Sequence, residues 1–141
     1  MKLIKIDEFD VSKDPVRPEL SLDFRKDLGR EIYAVSYSDV IGAIVCIAYC
    51  SDVPKNVDEL KQLTNPNGHI CVAYTIYNTG KIKGSGRDLI NLLHKKMKES
   101  LEVTRLVTFS PKIEMAKQFH IKNGAFLLNE NEDSYNFEYE I

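Results

Sequence analysis

The chain has 141 residues, a formal net charge of −2 and 43% hydrophobic residues. These values predict a single globular domain over residues 1–141 with a genuine apolar core. The balanced charge gives no indication of a nucleic-acid partner. The longest apolar run, residues 40–48, is too short to cross a membrane, so no membrane partner is expected.

The amino terminus and the cysteines favour a cytoplasmic protein. Separately, we expect a monomer or a homodimer. The first ten residues, MKLIKIDEFD, become acidic and lack the apolar centre of a signal peptide. Cys46, Cys50 and Cys71 show no metal-ligand spacing and cannot all pair. We therefore expect reduced packing residues and no metal site.

The first half of the chain predicts two strands in a hairpin between two helices, after a short first strand, KLIKI. PELSLDFRKDLG places Leu20, Phe24 and Leu28 on one helical face before Gly29. EIYAVSYS and VIGAIVCIAYC are rich in β-branched and aromatic residues and predict an antiparallel pair. SDVPKNVDELKQL predicts a helix with Ser51 or Asp52 as its N-cap.

The second half predicts the strand HICVAYTIYN, a helix after the glycines, and the strand RLVTF. SPKIEMAKQFHIKNG then reads as a helix with Ser110 as N-cap, Pro111 at its first position and Gly124 at its end. AFLLN and YNFEYEI predict a final hairpin. The whole order is β-α-β-β-α-β-α-β-α-β-β, an α/β fold with a single mixed sheet of about six to seven strands and flanking helices.

A glycine-rich loop, KIKGSG, lies between a strand and a helix. The loop does not match the Walker A phosphate-binding motif, because Ser85 stands where that motif has its second glycine. It does not match the dinucleotide-binding fingerprint either, because Leu89 stands where that motif has its third glycine. The remaining G-x-G, with Lys83 and Arg87 beside it, suits an anion at the start of a helix. The alternative interpretation is a flexible basic loop.

KIKGSG also resembles the [Q/R]-x-x-G-x-[G/A] motif of the acyl-CoA N-acyltransferase (GNAT) superfamily, with Lys81 at the usual Gln or Arg. IEMAKQFHIKNGAF resembles that family's next signature: Ala116, Phe119 and Gly124 fit, Ile113 replaces an Asn, and His120 stands at a Tyr that acts as general acid. The resemblance implies the GNAT fold, and acetyl-CoA or another short acyl-CoA as co-substrate. It also implies that CoA contacts come from Tyr74, Ile76, Tyr77, Lys81, Ile82, Lys83, Gly84, Ser85, Gly86 and Arg87.

A narrower resemblance is to the catalytic domain of malonyl-CoA decarboxylase. AYTIY, GRDLINL, VTFSP and FHIKNGA follow one another in the order of that family's motifs. The resemblance implies catalytic roles for Thr75 and His120. A strand-end hydroxyl can stabilise an oxyanion, and imidazole titrates near neutral pH, so both residue types suit the chemistry.

Three functions remain open at this point. The first is transfer of an acetyl or short acyl group from CoA to a small-molecule or protein amine, with residues 7–24 lining the acceptor site as the GNAT resemblance implies. The second is decarboxylation of an acyl-CoA thioester by Thr75 and His120. The third is a non-catalytic CoA-binding module.

Two structural predictions concern the site. The spacing of Ile113, Ala116 and His120 predicts one inward helical face. The GNAT resemblance predicts that residues 71–77 and 105–109 form parallel strands that diverge.

Overall fold

The computed structural model describes all 141 residues, which form one eight-stranded mixed sheet and four α-helices. The strands are β1 (Lys2–Ile6), β2 (Arg30–Tyr37), β3 (Val40–Cys50), β4 (Ile70–Asn78), β5 (Arg105–Thr108), β6 (Ser110–Pro111), β7 (Phe126–Glu130) and β8 (Ser134–Tyr139). The helices are α1 (Leu22–Lys26), α2 (Val57–Leu63), α3 (Ser85–Glu99) and α4 (Glu114–Lys122), and a short 3-10 helix covers Val11–Lys13. The strand order is β1-β2-β3-β4-β5-β8-β6, with β7 paired to β8. The predicted α/β class with a single sheet is confirmed.

The extra strand, β6, replaces a predicted helix start. Ser110 and Pro111 pair with β8, and α4 begins only at Glu114. The Ser110 hydroxyl donates to the Thr108 hydroxyl at 2.8 Å and does not cap a helix. Because β6 ends the strand order, Pro111 occupies an edge, where a residue without an N–H group is tolerated.

Two other helix boundaries differ from the prediction. Helix α1 is only five residues long, and Leu28 lies beyond it with 75% of its surface exposed. Helix α2 starts after Asn56, whose side chain accepts the Glu59 N–H at 2.8 Å, so neither predicted N-cap is used. Helix α1 is therefore shorter, and helix α2 begins later, than the sequence pattern predicts.

Each face of the sheet has its own apolar core. The α3 face is covered by α3 and α4 and includes Val45, Ala73, Leu89, Leu93 and Phe137. The opposite face, called here the α1/α2 face, includes Cys46, Tyr74, Leu60 and Val107. The three cysteines are buried and unpaired, as predicted. None of the helices combines the length and the apolar character that crossing a membrane requires.

Candidate functional site

Strands β4 and β5 are parallel neighbours that stop pairing halfway along β4. Their register runs from Ile70 opposite Arg105 to Ala73 opposite Thr108. The last backbone bond between them joins the Phe109 N–H to the Ala73 carbonyl at 2.8 Å. Beyond it β4 continues to Asn78 without a partner on that side, so the predicted divergence is confirmed. We call this opening the β4–β5 gap; its free backbone groups can pair with an extended ligand.

A β-bulge lies at the base of the gap. Opposite β4, Cys46 faces Thr75 while Ile47 faces Ala73, which leaves Tyr74 as the extra residue. Regular alternation would put the Thr75 side chain on the α3 face with Ala73. The bulge shifts the alternation by one residue, so Thr75 instead shares the α1/α2 face with Tyr74.

On that face Thr75 is bonded to a buried ion pair. Its hydroxyl oxygen lies 2.9 and 3.0 Å from the two carboxylate oxygens of Asp14. Asp14 in turn accepts from Arg25 Nη1 at 2.7 Å, and both side chains are fully buried. Burial is the largest single effect and would lower the pKa of Arg25, but the hydrogen bonds that it donates to Asp14 and Cys46, together with their charges, outweigh it and the pKa is raised. The pair fastens residues 10–26, called here the N-terminal segment, against the end of β4.

His120 lies on the other face of the sheet. Its Nδ1 atom is 2.7 Å from the Tyr139 hydroxyl, and its ring stacks on Phe137 with centroids 5.1 Å apart. Both neighbours belong to the core of the α3 face. The structure therefore does not bring Thr75 and His120 together, because the bulge at Tyr74 sends the hydroxyl to the opposite side.

Burial determines the protonation state of His120. The ring is 4% exposed, and burial lowers the pKa of His120 from 6.5 to about 4. The imidazole is therefore neutral at pH 7, which differs from the expected titration near neutrality. Only one fully buried side-chain nitrogen or oxygen atom lacks a hydrogen-bond partner, and that atom is Tyr74 Oη. His120 Nε2 makes no hydrogen bond and is not such an atom, so it is not fully buried and keeps some contact with solvent.

The inward direction of His120 is confirmed and Ala116 is half-buried, but Ile113 does not belong to the inward helical face. Ile113 precedes α4 and is 52% exposed, and Met115 is 78% exposed. Phe119 instead packs towards the start of α3: a Cβ atom added at Gly86 would lie 3.4 Å from its ring. Helix α4 therefore stands beside the beginning of α3.

The glycine-rich loop leads into α3 without a capping side chain. Gly84 adopts the left-handed conformation (φ 80°), which glycine enters without a steric penalty. The backbone N–H groups of Ser85, Gly86 and Arg87 form the first turn of α3, and none of them has a hydrogen-bond acceptor within the helix. Lys81, Lys83 and Arg87 are all exposed around them. This arrangement of free donors and cations suits an anion.

The start of α3 is held in place by β3. Ser85 Oγ lies 2.8 Å from the carbonyl oxygens of Gly42 and Ile82, so the side chain points inward. A Cβ atom added at Gly42 would come within 2.6 Å of the Ser85 Cβ. Only glycine at position 42 allows this contact, which fixes the helix start beside the end of β4.

The three predicted contact residues on β4 contribute in different ways. The Tyr74 side chain is fully buried against Phe24, so only its backbone faces the gap. Ile76 is half-buried on the α3 face, and Tyr77 is half-buried near Phe9 on the other. Ile82, in the loop, is also half-buried.

Arg17 was not singled out by the sequence, although it reaches into the gap. Its Nε donates to the Tyr74 carbonyl and its Nη2 to the Phe109 carbonyl, each at 3.2 Å. Its Cζ atom lies 4.0 Å from the centroid of the Phe109 ring. No sequence signal distinguishes it from the solvated charges that surround it in the N-terminal segment. The same is true of Asp14 and Arg25.

Comparison with family models and with curated proteins gives no match. Solved structures do match. N-acetyltransferase PseH of Campylobacter jejuni, solved in complex with acetyl coenzyme A, is 19% identical over 82% of this chain and 70% of its own, with a TM-score of 0.58. The loading GNATL domain of CurA from Lyngbya majuscula is 11% identical over 86% of this chain and 83% of its own, with a TM-score of 0.67.

A third similar structure is malonyl-CoA decarboxylase from Agrobacterium vitis. It is 18% identical over 84% of this chain but only 35% of its own length, with a TM-score of 0.66. At these identities the likeness concerns the fold. The chain has the GNAT fold shared by acetyltransferases, GNAT-like domains and malonyl-CoA decarboxylase.

Proposed function

We propose that this protein binds an acyl-CoA, with its diphosphate at residues 82–87 and its pantetheine arm in the β4–β5 gap. One observation carries the proposal: the β4–β5 ladder ends at Ala73 and Phe109 while the uncapped start of α3 follows the end of the same strand, β4. A linear ligand with an anionic end and an amide-bearing arm matches that combination. An anion at a helix start gains about 0.3–1 kcal/mol, and up to about 2 where it is partly buried.

The reaction that we propose is transfer of an acetyl or other short acyl group to an amine. The amine nitrogen attacks the thioester carbonyl, the carbon–sulfur bond breaks, and the sulfur gains the proton that the nitrogen loses. The acceptor, a small molecule or a protein amine, approaches beside the N-terminal segment, which lies against the base of the gap. We assign His120, neutral at pH 7, the role of hydrogen-bond partner for the departing sulfur through Nε2.

Decarboxylation by Thr75 and His120 has less support. It needs a hydroxyl and an imidazole on one reacting group, whereas the two side chains lie on opposite faces of the sheet. The Thr75 hydroxyl also has a carboxylate as its acceptor. We therefore give Thr75 a positioning role, in which it anchors the N-terminal segment through Asp14.

Product analysis by mass spectrometry tests the reaction. The protein is incubated with acetyl-CoA and a panel of amines, and separately with malonyl-CoA alone. Transfer predicts free CoA and an acetylated amine in the first reaction. Acetyl-CoA formed from malonyl-CoA without an acceptor would establish decarboxylation instead. Binding of CoA without either product would indicate a non-catalytic module.

A further inference from the structure

The guanidinium of Arg17 closes the base of the β4–β5 gap. The ladder between the strands ends at Ala73, and the next carbonyl groups on each side, those of Tyr74 and Phe109, both accept from Arg17. The cation therefore stands where the strands part, between their backbones. In the proposed complex this is where the reacting end of the substrate arrives.

This cation has no anionic partner. Arg25, in the same segment, is neutralised by Asp14, whereas Arg17 forms no ion pair. Glu19 and Asp14 attract the guanidinium but form no ion pair with it. Glu19 is exposed, and the Asp14 oxygens already accept from Arg25, from Thr75 and from the backbone N–H of Arg17 itself. Burial lowers the pKa of Arg17. A partly buried charge that is held by two carbonyl groups and the face of the Phe109 ring, without an ion pair, leaves a favourable place for an anion.

The free edge of the guanidinium has the right geometry for a carboxylate. Nε and one Nη2 hydrogen form the side-on edge, which the two carbonyl groups use. The end-on edge, made by Nη1 and the second Nη2 hydrogen, donates no hydrogen bond. Such an edge binds a carboxylate through two parallel hydrogen bonds.

We infer that the substrate at the base of the gap carries a carboxylate, which the end-on edge of Arg17 binds. The inference rests on the proposed acyl-CoA site. The carboxylate belongs either to a dicarboxylic acyl group on CoA or to an amino-acid acceptor. Arg17 is thus a specificity-determining residue, held in place by the strand carbonyl groups.

Calorimetric titration tests the inference with ligands that differ by one carboxylate. For the acyl source, malonyl-CoA is compared with acetyl-CoA. For the acceptor source, glycine and alanine are compared with methylamine and ethylamine in the presence of CoA. We expect one pair to show about a 10- to 100-fold preference for the carboxylate, the usual gain from charge-assisted hydrogen bonds. The pair of ligands that shows the preference identifies whether the carboxylate belongs to the acyl group or to the acceptor.

Variants connect the preference to this residue. Arg17→Gln should abolish the preference for the carboxylate ligand, and Arg17→Lys should retain only part of that preference. Arg105→Gln, which removes an arginine paired with Glu138 away from the gap, is the matched control and should keep the full preference. If Arg17→Gln does not fold, the wild-type ratios and Arg17→Lys decide the question.

Two failures are distinguishable. Wild-type protein that binds CoA but prefers neither carboxylate ligand overturns the inference and leaves the acyl-CoA site standing. Wild-type protein that binds no CoA overturns both. A preference that persists in Arg17→Gln also overturns the inference.

Discussion

The Thr75 hydroxyl donates to Asp14 across 2.9 Å, and this bond joins the bulged end of β4 to the N-terminal segment. Both residues are buried, at 2% and 1% exposure, so water cannot replace the lost partner when the hydroxyl is removed. This bond gives the threonine a structural role, so its presence at this position does not require a catalytic one.

Replacing Thr75 should therefore affect stability before chemistry. Thr75→Val keeps the shape and removes the donor, and it should lower the free energy of unfolding by about 1.5–3 kcal/mol, since the acceptor is charged and buried. Thr75→Ser should restore most of that loss. Urea unfolding measures both variants, and kcat/KM per folded molecule should change little. A stable Thr75→Val protein that has lost activity would instead make Thr75 catalytic.

A charge at the start of α3 should block CoA. Gly84→Asp places a carboxylate where the diphosphate is proposed to lie, and should weaken CoA binding at least tenfold by repulsion and by occupying the free N–H groups. Aspartate tolerates the left-handed backbone better than most residues. The measurement is calorimetric titration of CoA.

Gly80→Asp is the matched control for that variant. Gly80 has a similar positive φ (83°) and open surroundings, but it lies in the turn before the helix. CoA affinity should stay within about threefold. Equal losses in the two variants would mean that the total charge of the loop, and not the helix start, attracts the ligand.

The buried imidazole of His120 should make the fold sensitive to acid. Because its pKa is about 4 in the folded protein and 6.5 in its ordinary state, the unfolded chain binds the extra proton first as the pH falls. This contribution to stability is present above about pH 6.5 and is lost towards pH 4. The free energy of unfolding should fall by about 2 kcal/mol between about pH 7 and pH 5 on account of this residue alone.

Urea unfolding at several pH values checks the effect. His120→Phe cannot titrate and should remove this part of the pH dependence. His94→Gln is the control, because His94 bonds the Glu140 carbonyl at the surface. An unchanged pH profile in His120→Phe would show that the His120 ring is not held neutral.

The same residue should matter for the rate. His120→Ala should slow acyl transfer by about 10²–10⁴-fold while leaving CoA affinity nearly intact. Because the ring is neutral, the wild-type rate should show no inflection near pH 6.5. Steady-state kinetics across about pH 5.5–8 measure both effects. Full activity of His120→Ala towards a proven substrate would end the catalytic assignment.

The sequence predicts those parts of the site that depend on local pattern. The parallel strands at residues 71–77 and 105–109, the helix start after Gly84 and the inward His120 follow from alternation, glycine placement and helical spacing together with the family resemblance. The individual strands, the helix start and the inward His120 are each encoded in a short run of consecutive residues, whereas the parallel pairing of the two strands follows from the family resemblance.

The features that the sequence does not predict depend on distant residues. The bulge at Tyr74 is set by pairing with Cys46 and Ile47, and it reverses the side on which Thr75 lies. Arg17 reaches the gap because a pair between Asp14 and Arg25 fixes its segment. A charge in a polar stretch looks the same in sequence whether it is solvated or inserted between two strands.

A crystal structure of the protein with CoA tests the central claim most directly. The account predicts diphosphate oxygens within hydrogen-bonding distance of the N–H groups of Ser85, Gly86 and Arg87. It also predicts a pantetheine arm paired with the backbone of β4 beyond Tyr74, inside the gap. CoA bound elsewhere on the protein, with the start of α3 and the β4–β5 gap free of ligand, would contradict the account.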